Sequence, residues 1–231
     1  MSSKVEFHCH TSNSFDCDIK LSERIEVYSK SGFTHLVITD HDKILSDIDY
    51  SIIETYNEYS IEIIPGIEIS TQVGHIILLN CRKKPWINSL FFIVLWSKYF
   101  KSNIYIPHPF RNGTGILIQY PIRRIPTYYI SWFLNFVTYV EVYNPRDNIT
   151  NIVDVHYSVY RKLLCKKYVC ASDSHYNDDI NFDGSNFDGF ALDNPIVKTF
   201  FSKINVTNNK ISFTLRSFLS YFKNSLKYLL N

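Results

Sequence analysis

The sequence predicts an α/β fold in which seven strand candidates fit a closed barrel, followed by a C-terminal amphipathic helix. Three observations lead there. Short β-branched apolar runs alternate with stretches of helical periodicity, the pattern of a mostly parallel sheet. No glycine-rich dinucleotide turn (GxGxxG) and no phosphate loop (GxxxxGK[ST]) occurs, so a barrel fits better than an open nucleotide-binding sheet. Polar and titratable residues gather where the runs end, which in a barrel is the face that carries chemistry.

Val5–His8 is the first run and ends in His8-Cys9-His10, followed by Ser14 and Asp16. Leu21, Ile25 and Tyr28 then recur at helical spacing, with Gly32 placed as the residue that stops the helix. Leu36–Thr39 is the second strand and ends Asp40-His41-Asp42. Ser46 and Asp49 read as a capping box, with Ile48, Ile52, Tyr56 and Tyr59 following on one helical face. Ile61–Ile69 is the third strand and carries Glu68; His75–Leu79 is the fourth. The link from Ile69 to Gly74 is too short for a parallel crossover and suits a hairpin. The fourth strand is therefore expected to run antiparallel, with His75 beside the end of the Glu68 strand. Ile104–Ile106 ends Pro107-His108-Pro109, and Tyr139–Tyr143 carries Glu141 and ends at Asn144. Ile152, Tyr160 and Leu163 suggest a further helix, and Tyr168–Ala171 ends Ser172-Asp173-Ser174-His175.

The 231 residues read as one domain over 1–231, with a motif-bearing part at 5–175 and a closing segment at 195–231. Leu215, Phe218, Leu219, Phe222, Leu226, Leu229 and Leu230 form an apolar stripe flanked by Arg216, Lys223 and Lys227. It is taken as a helix closing the barrel, in preference to a membrane-surface or nucleic-acid-facing helix. The stretch 177–189, rich in Asp, Asn and Gly, is a loop near the last histidine.

A net charge of +2 excludes a broadly basic nucleic-acid coat, although the six charged residues from Pro195 onward are all basic. Five cysteines without a CxxC read as reduced thiols, and Cys165 and Cys170 as buried ones. The longest apolar run, Leu90 to Trp96, is too short to span a bilayer, and the N-terminus has no apolar leader. A cytoplasmic protein is expected.

Residues i and i+2 of a strand face one side. His8 with His10, and Asp173 with His175, can therefore each grip one ion through donors that suit Zn, Mn or Fe. His35 and His156 stand outside the clusters and read as structural.

The elements HxHxxxSxD (residues 8–16), TDHD (39–42), PGIEIS (65–70), Gly74-His75, Pro107-His108-Pro109, VEVYN (140–144) and SDSH (172–175) follow one another at characteristic intervals. In this the chain resembles the PHP (polymerase and histidinol phosphatase) superfamily, specifically its small stand-alone metal-dependent phosphoesterases, from about Val5 to His175. The resemblance implies a distorted seven-stranded (β/α) barrel with two or three divalent metals per chain. One metal would be held by His8, His10, Glu68 and Asp173, a second by Glu68, His75 and His108, and a third by Asp16, His41 and His175. Glu141 would not be a ligand, and Asp40 would orient a ligand histidine.

The resemblance also implies chemistry. A hydroxide between two metals would attack phosphorus while the cations clamp the other phosphate oxygens. Arg111, and secondarily Arg146, would fork onto the phosphate. Asp173 or His175 would protonate the leaving alcohol. The expected substrate is a small nucleotide-type phosphate ester, a nucleoside bisphosphate or short oligonucleotide. Histidinol phosphate is the alternative, phosphotyrosine a third, and a non-catalytic metal-binding scaffold module the rival of another class. Short single-stranded nucleic acid is an expected partner. Stable duplex DNA binding and membrane contact through the C-terminal helix are not expected.

Overall fold

The structure, a computed structural model, describes residues 3–147, 152–176 and 184–207. Its centre is a seven-stranded sheet in which sequence neighbours lie side by side. The strands are β1 (Val5–Cys9), β2 (His35–Ile38), β3 (Glu62–Thr71), β4 (Gly74–Leu79), β5 (Asn103–Ile106), β6 (Val137–Tyr143) and β8 (Lys167–Cys170). All neighbours are parallel except β4, which runs antiparallel to both β3 and β5. The hairpin expected before His75 is present, with Ser70 opposite His75 and Thr71 opposite Gly74. Gly74 is required there. Its φ is +111°, and a Cβ would sit 2.0 Å from the Thr114 carbonyl oxygen.

The sheet closes by two different devices. At the C-terminal end β1 meets the chain beyond β8 through the bridge Cys9–Ser174, where His10 N donates to Ser174 O (3.1 Å) and Ser174 N to His8 O (3.3 Å). At the other end Ser185 fills the gap. Its backbone exchanges two hydrogen bonds with Val5 (2.7 and 3.1 Å), and its Oγ accepts from Cys170 N (2.7 Å). The end of the polar 177–189 stretch thus seams the barrel; residues 177–183 lie outside the described ones.

Among the described residues seven α-helices surround the strands: α1 (Leu21–Lys30), α2 (Asp47–Thr55), α3 (Leu90–Phe100), α4 (Ile116–Ile122), α5 (Thr127–Phe133), α6 (Tyr157–Leu163) and α7 (Pro195–Ser202). Outward-facing Ile67, Ile76, Leu78, Ile104 and Val140 pack under them. Inward-facing Val5, Phe7, Val37, Ile77, Leu79, Tyr105, Tyr139, Val169 and Ala171 fill the lower barrel. The period-2 alternation of β3, β4, β6 and the chain after β8 then turns Glu68, His75, Glu141 and Asp173 inward above that plug. In β1 the register shifts between Glu6 and Cys9. This bulge lets Phe7 join the plug while His8 and His10 also face the interior.

Several expectations need correction. Ile152 is exposed and starts no helix; Val153–His156 is strand β7, paired in parallel with β9 (Ile204–Thr207). Alternating Val153 and Val155 win over the helical reading, and α6 begins only at Tyr157, capped by His156. The Ser46–Asp49 capping box forms, yet Ile48 is exposed and Asp49 is the buried residue of α2, because its carboxylate also accepts from Asn13 Nδ2 (3.2 Å). Cys165 is exposed, whereas Cys170 is buried. The expected closing helix over 213–231 lies outside the described residues. Among the described residues no helix is long and apolar enough to cross a membrane.

Candidate metal centre

The strand ends deliver their polar side chains to one place. His8 Nε2 and His10 Nε2 lie 3.0 Å apart, and each lies 3.2–3.3 Å from Glu68 Oε2 and Asp173 Oδ1, in full burial. The other Glu68 oxygen, Oε1, lies 2.7 Å from His75 Nδ1 and 3.1 Å from His108 Nε2. On the outer side, Asp16 Oδ2 lies 2.9 Å from His175 Nε2 and 3.3 Å from His41 Nε2. Among the described residues three groups satisfy the spacing of a metal site: His8, His10, Glu68 and Asp173; His41, Glu68 and His75; and His10, Asp16, His41 and His175. Eight of the nine sequence-predicted ligand positions fall in these groups, and the ninth, His108, lies 3.1 Å from Glu68 Oε1. The sharing differs in detail: His41 joins the second group, beside which His108 stands, and His10 joins the third.

The donor chemistry fits divalent cations. His8 Nδ1 donates to Glu141 Oε2 (3.3 Å). Ser14 Oγ accepts from His41 N (2.8 Å) and faces His10 Nδ1 at 3.1 Å as its acceptor. With both Nδ1 atoms protonated, each neutral ring turns an Nε2 lone pair toward two carboxylate oxygens. Four lone pairs then face one centre, which only a proton or a metal can satisfy. His41 Nδ1 adds an orphan: it is buried 3.2 Å from Glu68 Oε2 and makes no hydrogen bond.

The electrostatics agree. Burial alone would raise Glu68, but the His8 charge and hydrogen bonds from His10, His108 and His75 outweigh it and hold the carboxyl well below its ordinary range. Burial of Asp173 is likewise outweighed by His8, His10 and Arg111. Burial would lower His8, but Asp173, Glu68 and Glu141 drive it well above the usual imidazole value. A proton thus occupies the metal-free cluster where a cation would bind. Burial instead pushes His41 down to about 4, leaving its ring neutral.

Residues behind the cluster fix the ligands. Glu141 accepts from His8 Nδ1, His108 N (3.0 Å), Asn144 Nδ2 (2.8 Å) and the Tyr105 hydroxyl. Asp40 does not hold a histidine directly. Its carboxylate takes both donors of Thr11, N at 2.6 Å and Oγ1 at 2.7 Å. Arg24, unforeseen in the sequence, is wholly buried. It donates to His10 O (2.9 Å), Ser174 O (3.0 Å) and Ser174 Oγ (2.7 Å), clamping β1 to the Asp173–His175 segment. The available signal was its place on the apolar face of α1 with Leu21, Ile25 and Tyr28. Asp173 and His108 have φ of +51° and +26°, strain typical of a functional site.

Arg111 and Arg146 reach the cluster already engaged. Arg111 pairs with Asp173 and with Asp147 (2.6 Å), and its Nη2 is buried without a hydrogen-bond partner. Arg146 donates to Asp173 O (3.0 Å) and touches His175 Nδ1. Burial and the neighbouring His10 charge lower the His175 pKa. With Asp173 ionised and His175 neutral, neither presents a spare proton in this arrangement.

Fold and cluster together define a (β/α) barrel built around an imidazole–carboxylate mouth. Residues 6–114 match the family model of the PHP domain. Solved structures of similar fold include a two-domain protein from Bacteroides vulgatus containing a predicted PHP-like metal-dependent phosphoesterase (18% identity, TM-score 0.55, 79% of this chain and 55% of that one). An amidohydrolase from Chromobacterium violaceum, solved with bound sulfate and no metal, aligns over 87% of this chain and 97% of its own (15% identity, TM-score 0.55). A Bifidobacterium adolescentis protein assigned to the metal-dependent phosphoesterases aligns over 89% and 98% (12% identity, TM-score 0.53). The chain thus spans 55% of the Bacteroides protein but nearly all of the other two. At these identities the likeness is one of fold. No curated protein matches the chain. The PHP-domain match over residues 6–114, with the PHP-like fold of these structures, supports membership of the PHP superfamily.

Proposed function

We propose that the chain hydrolyses phosphate esters with two or three divalent cations, and that its substrate is a small nucleotide-type ester, a nucleoside bisphosphate or short oligonucleotide. The observation that carries this reading is the convergence of the His8, His10, Glu68 and Asp173 lone pairs on one buried centre. Those four would hold one cation; Glu68 with His75 and His108 a second, His41 flanking it; Asp16, His41 and His175, with His10, a third. Mixed imidazole and carboxylate donors accept Mn, Zn and Fe. Bound there, such cations supply an acidified water and positive charge opposite the phosphate.

The chain's own groups do the rest. Glu68 spends one oxygen on each of two ligand groups and sets their separation. Glu141 keeps the His8 proton on Nδ1, so that Nε2 remains a ligand atom. Arg111 is anchored by Asp147 and Asp173, and its unpartnered Nη2 is a donor for a phosphate oxygen. Arg146, at the Asp173–His175 edge, is a second phosphate contact.

A panel of 3′,5′-bisphosphates, short RNA, histidinol phosphate and phosphotyrosine, assayed with Mn or Zn, tests the reading. Turnover should be fastest on the nucleotides. Preference for histidinol phosphate would move the substrate to the alternative. Stoichiometric metal without turnover on any ester would make the chain a scaffold.

A further inference from the structure

We propose that the groove between α3 and the 81–89 connection is a track for a single strand of nucleic acid leading to the metal centre. The proposal rests on the phosphoesterase reading and names the extended form of its substrate. The groove has a volume of about 690 Å³ and is walled by rings, chiefly Trp86, Trp96, Tyr99 and Phe100. Trp86 is 89% exposed and Tyr99 80%. The sequence explains their position. Helix α3 reads LFFIVLWSKYF and buries Leu90, Ile93, Val94 and Ser97, which leaves Leu95 and Tyr99 on its outer face.

Charge and continuity select the occupant. The charged residues lining the groove are Lys83 and Lys84, with no carboxylate among them. Lys84 Nζ lies 3.4 Å from Asp42 Oδ1; Asp42 N donates to Glu68 O (2.8 Å), and Asp42 follows His41 in the chain. On the far side of that link the 85% exposed Phe15 lies near-parallel to the His41 ring, centroids 5.2 Å apart. Exposed rings therefore flank the path at both ends, with lysines at the groove. Aromatic faces for bases and cations for phosphates are what a strand of any sequence needs.

The test uses the full-length, metal-loaded protein and a labelled phosphorothioate oligothymidylate of about 12 nucleotides, within the usual span of a single-strand site. Binding should quench tryptophan emission, and log K should fall against log salt with a slope of about −1.4 for two lysines. Trp86→Ala and Tyr99→Ala, both at exposed positions, should each weaken binding about tenfold. Lys83→Gln should halve the slope to about −0.7. Ile152→Ala, exposed elsewhere, should leave binding at the wild-type level. Binding unaltered in both ring variants overturns the track, as does failure of the oligonucleotide to bind. Trp86-dependent binding to phosphatidylserine vesicles without oligonucleotide binding overturns it in favour of a membrane face. The two readings fail separately. Turnover of nucleoside bisphosphates without oligonucleotide binding removes the track alone, whereas Trp86-dependent binding without turnover removes the activity alone.

Discussion

Asp173→Asn separates a ligand's charge from its shape. Asp173 has φ of +51°, a region that Asn tolerates nearly as well as Asp, and the two side chains match in size. The backbone should therefore persist. What disappears is a buried negative charge whose Oδ1 lies 3.2 Å from both His8 Nε2 and His10 Nε2 and whose Oδ2 pairs with Arg111. Breaking a buried pair typically costs about 3–5 kcal/mol. Arg111 keeps Asp147 at 2.6 Å, so the lower end, about 3 kcal/mol, applies in the metal-free protein. For a domain of this size that is a melting temperature lower by roughly 6–12 °C in chelator. Metal binding should suffer more specifically. Loss of groups that merely orient a ligand weakens binding 10–100-fold, so loss of one donor in four should cost at least about 100-fold, near 2.7 kcal/mol. Calorimetric titration with Mn or Zn, alongside aryl phosphate hydrolysis, reads both. A folded Asp173→Asn protein that binds metal with wild-type affinity and retains full turnover would refute the ligand assignment.

Three other outcomes follow from the same geometry. Metal at about 100 times its dissociation constant adds roughly 2.7 kcal/mol, so a chelator should lower the melting temperature by about 5–10 °C; a chelator-insensitive melt would separate metal from fold. His8, raised well above the usual imidazole value when metal-free, holds a proton at neutral pH that metal must displace. Affinity should therefore rise with pH until that group titrates, and calorimetry in buffers of different ionisation heat should show proton release at pH 7. Proton-neutral binding there would contradict the cluster. Ser185→Ala removes the acceptor of the buried Cys170 N–H and should destabilise by about 1–3 kcal/mol, read as a denaturation midpoint; an unchanged midpoint would mean that Ser185 does not seam the barrel.

Most of the barrel was legible because its strands announce themselves through short β-branched runs ending in chemistry, and because the Ile69–Gly74 link forced the antiparallel fourth strand. The i, i+2 spacing put His8 and His10 in one group, as the structure does, but Asp173 and His175 fall in different groups, and the other candidate positions were legible only through the motif resemblance. Three features were hidden for physical reasons. The parity change in β1 depends on a bulge that pairing with β2 creates, and no local pattern encodes it. The β7–β9 pair joins segments far apart in the chain, so the alternation of Val153 and Val155 competed with a helical reading of Ile152. Buried Arg24 looks like any helix arginine until the carbonyls of His10 and Ser174 arrive from other elements. Asp40 shows the reverse error. The resemblance implied a ligand histidine as its partner, but the folded chain offers it Thr11.

Anomalous diffraction from crystals grown with Mn or Zn tests the central claim most directly. Two or three peaks should lie at coordination distance, about 2.0–2.3 Å, from the side chains of His8, His10, Glu68 and Asp173 and of the neighbouring histidines. A metal-replete crystal whose peaks lie only at surface residues, with those four side chains unliganded, would contradict the account.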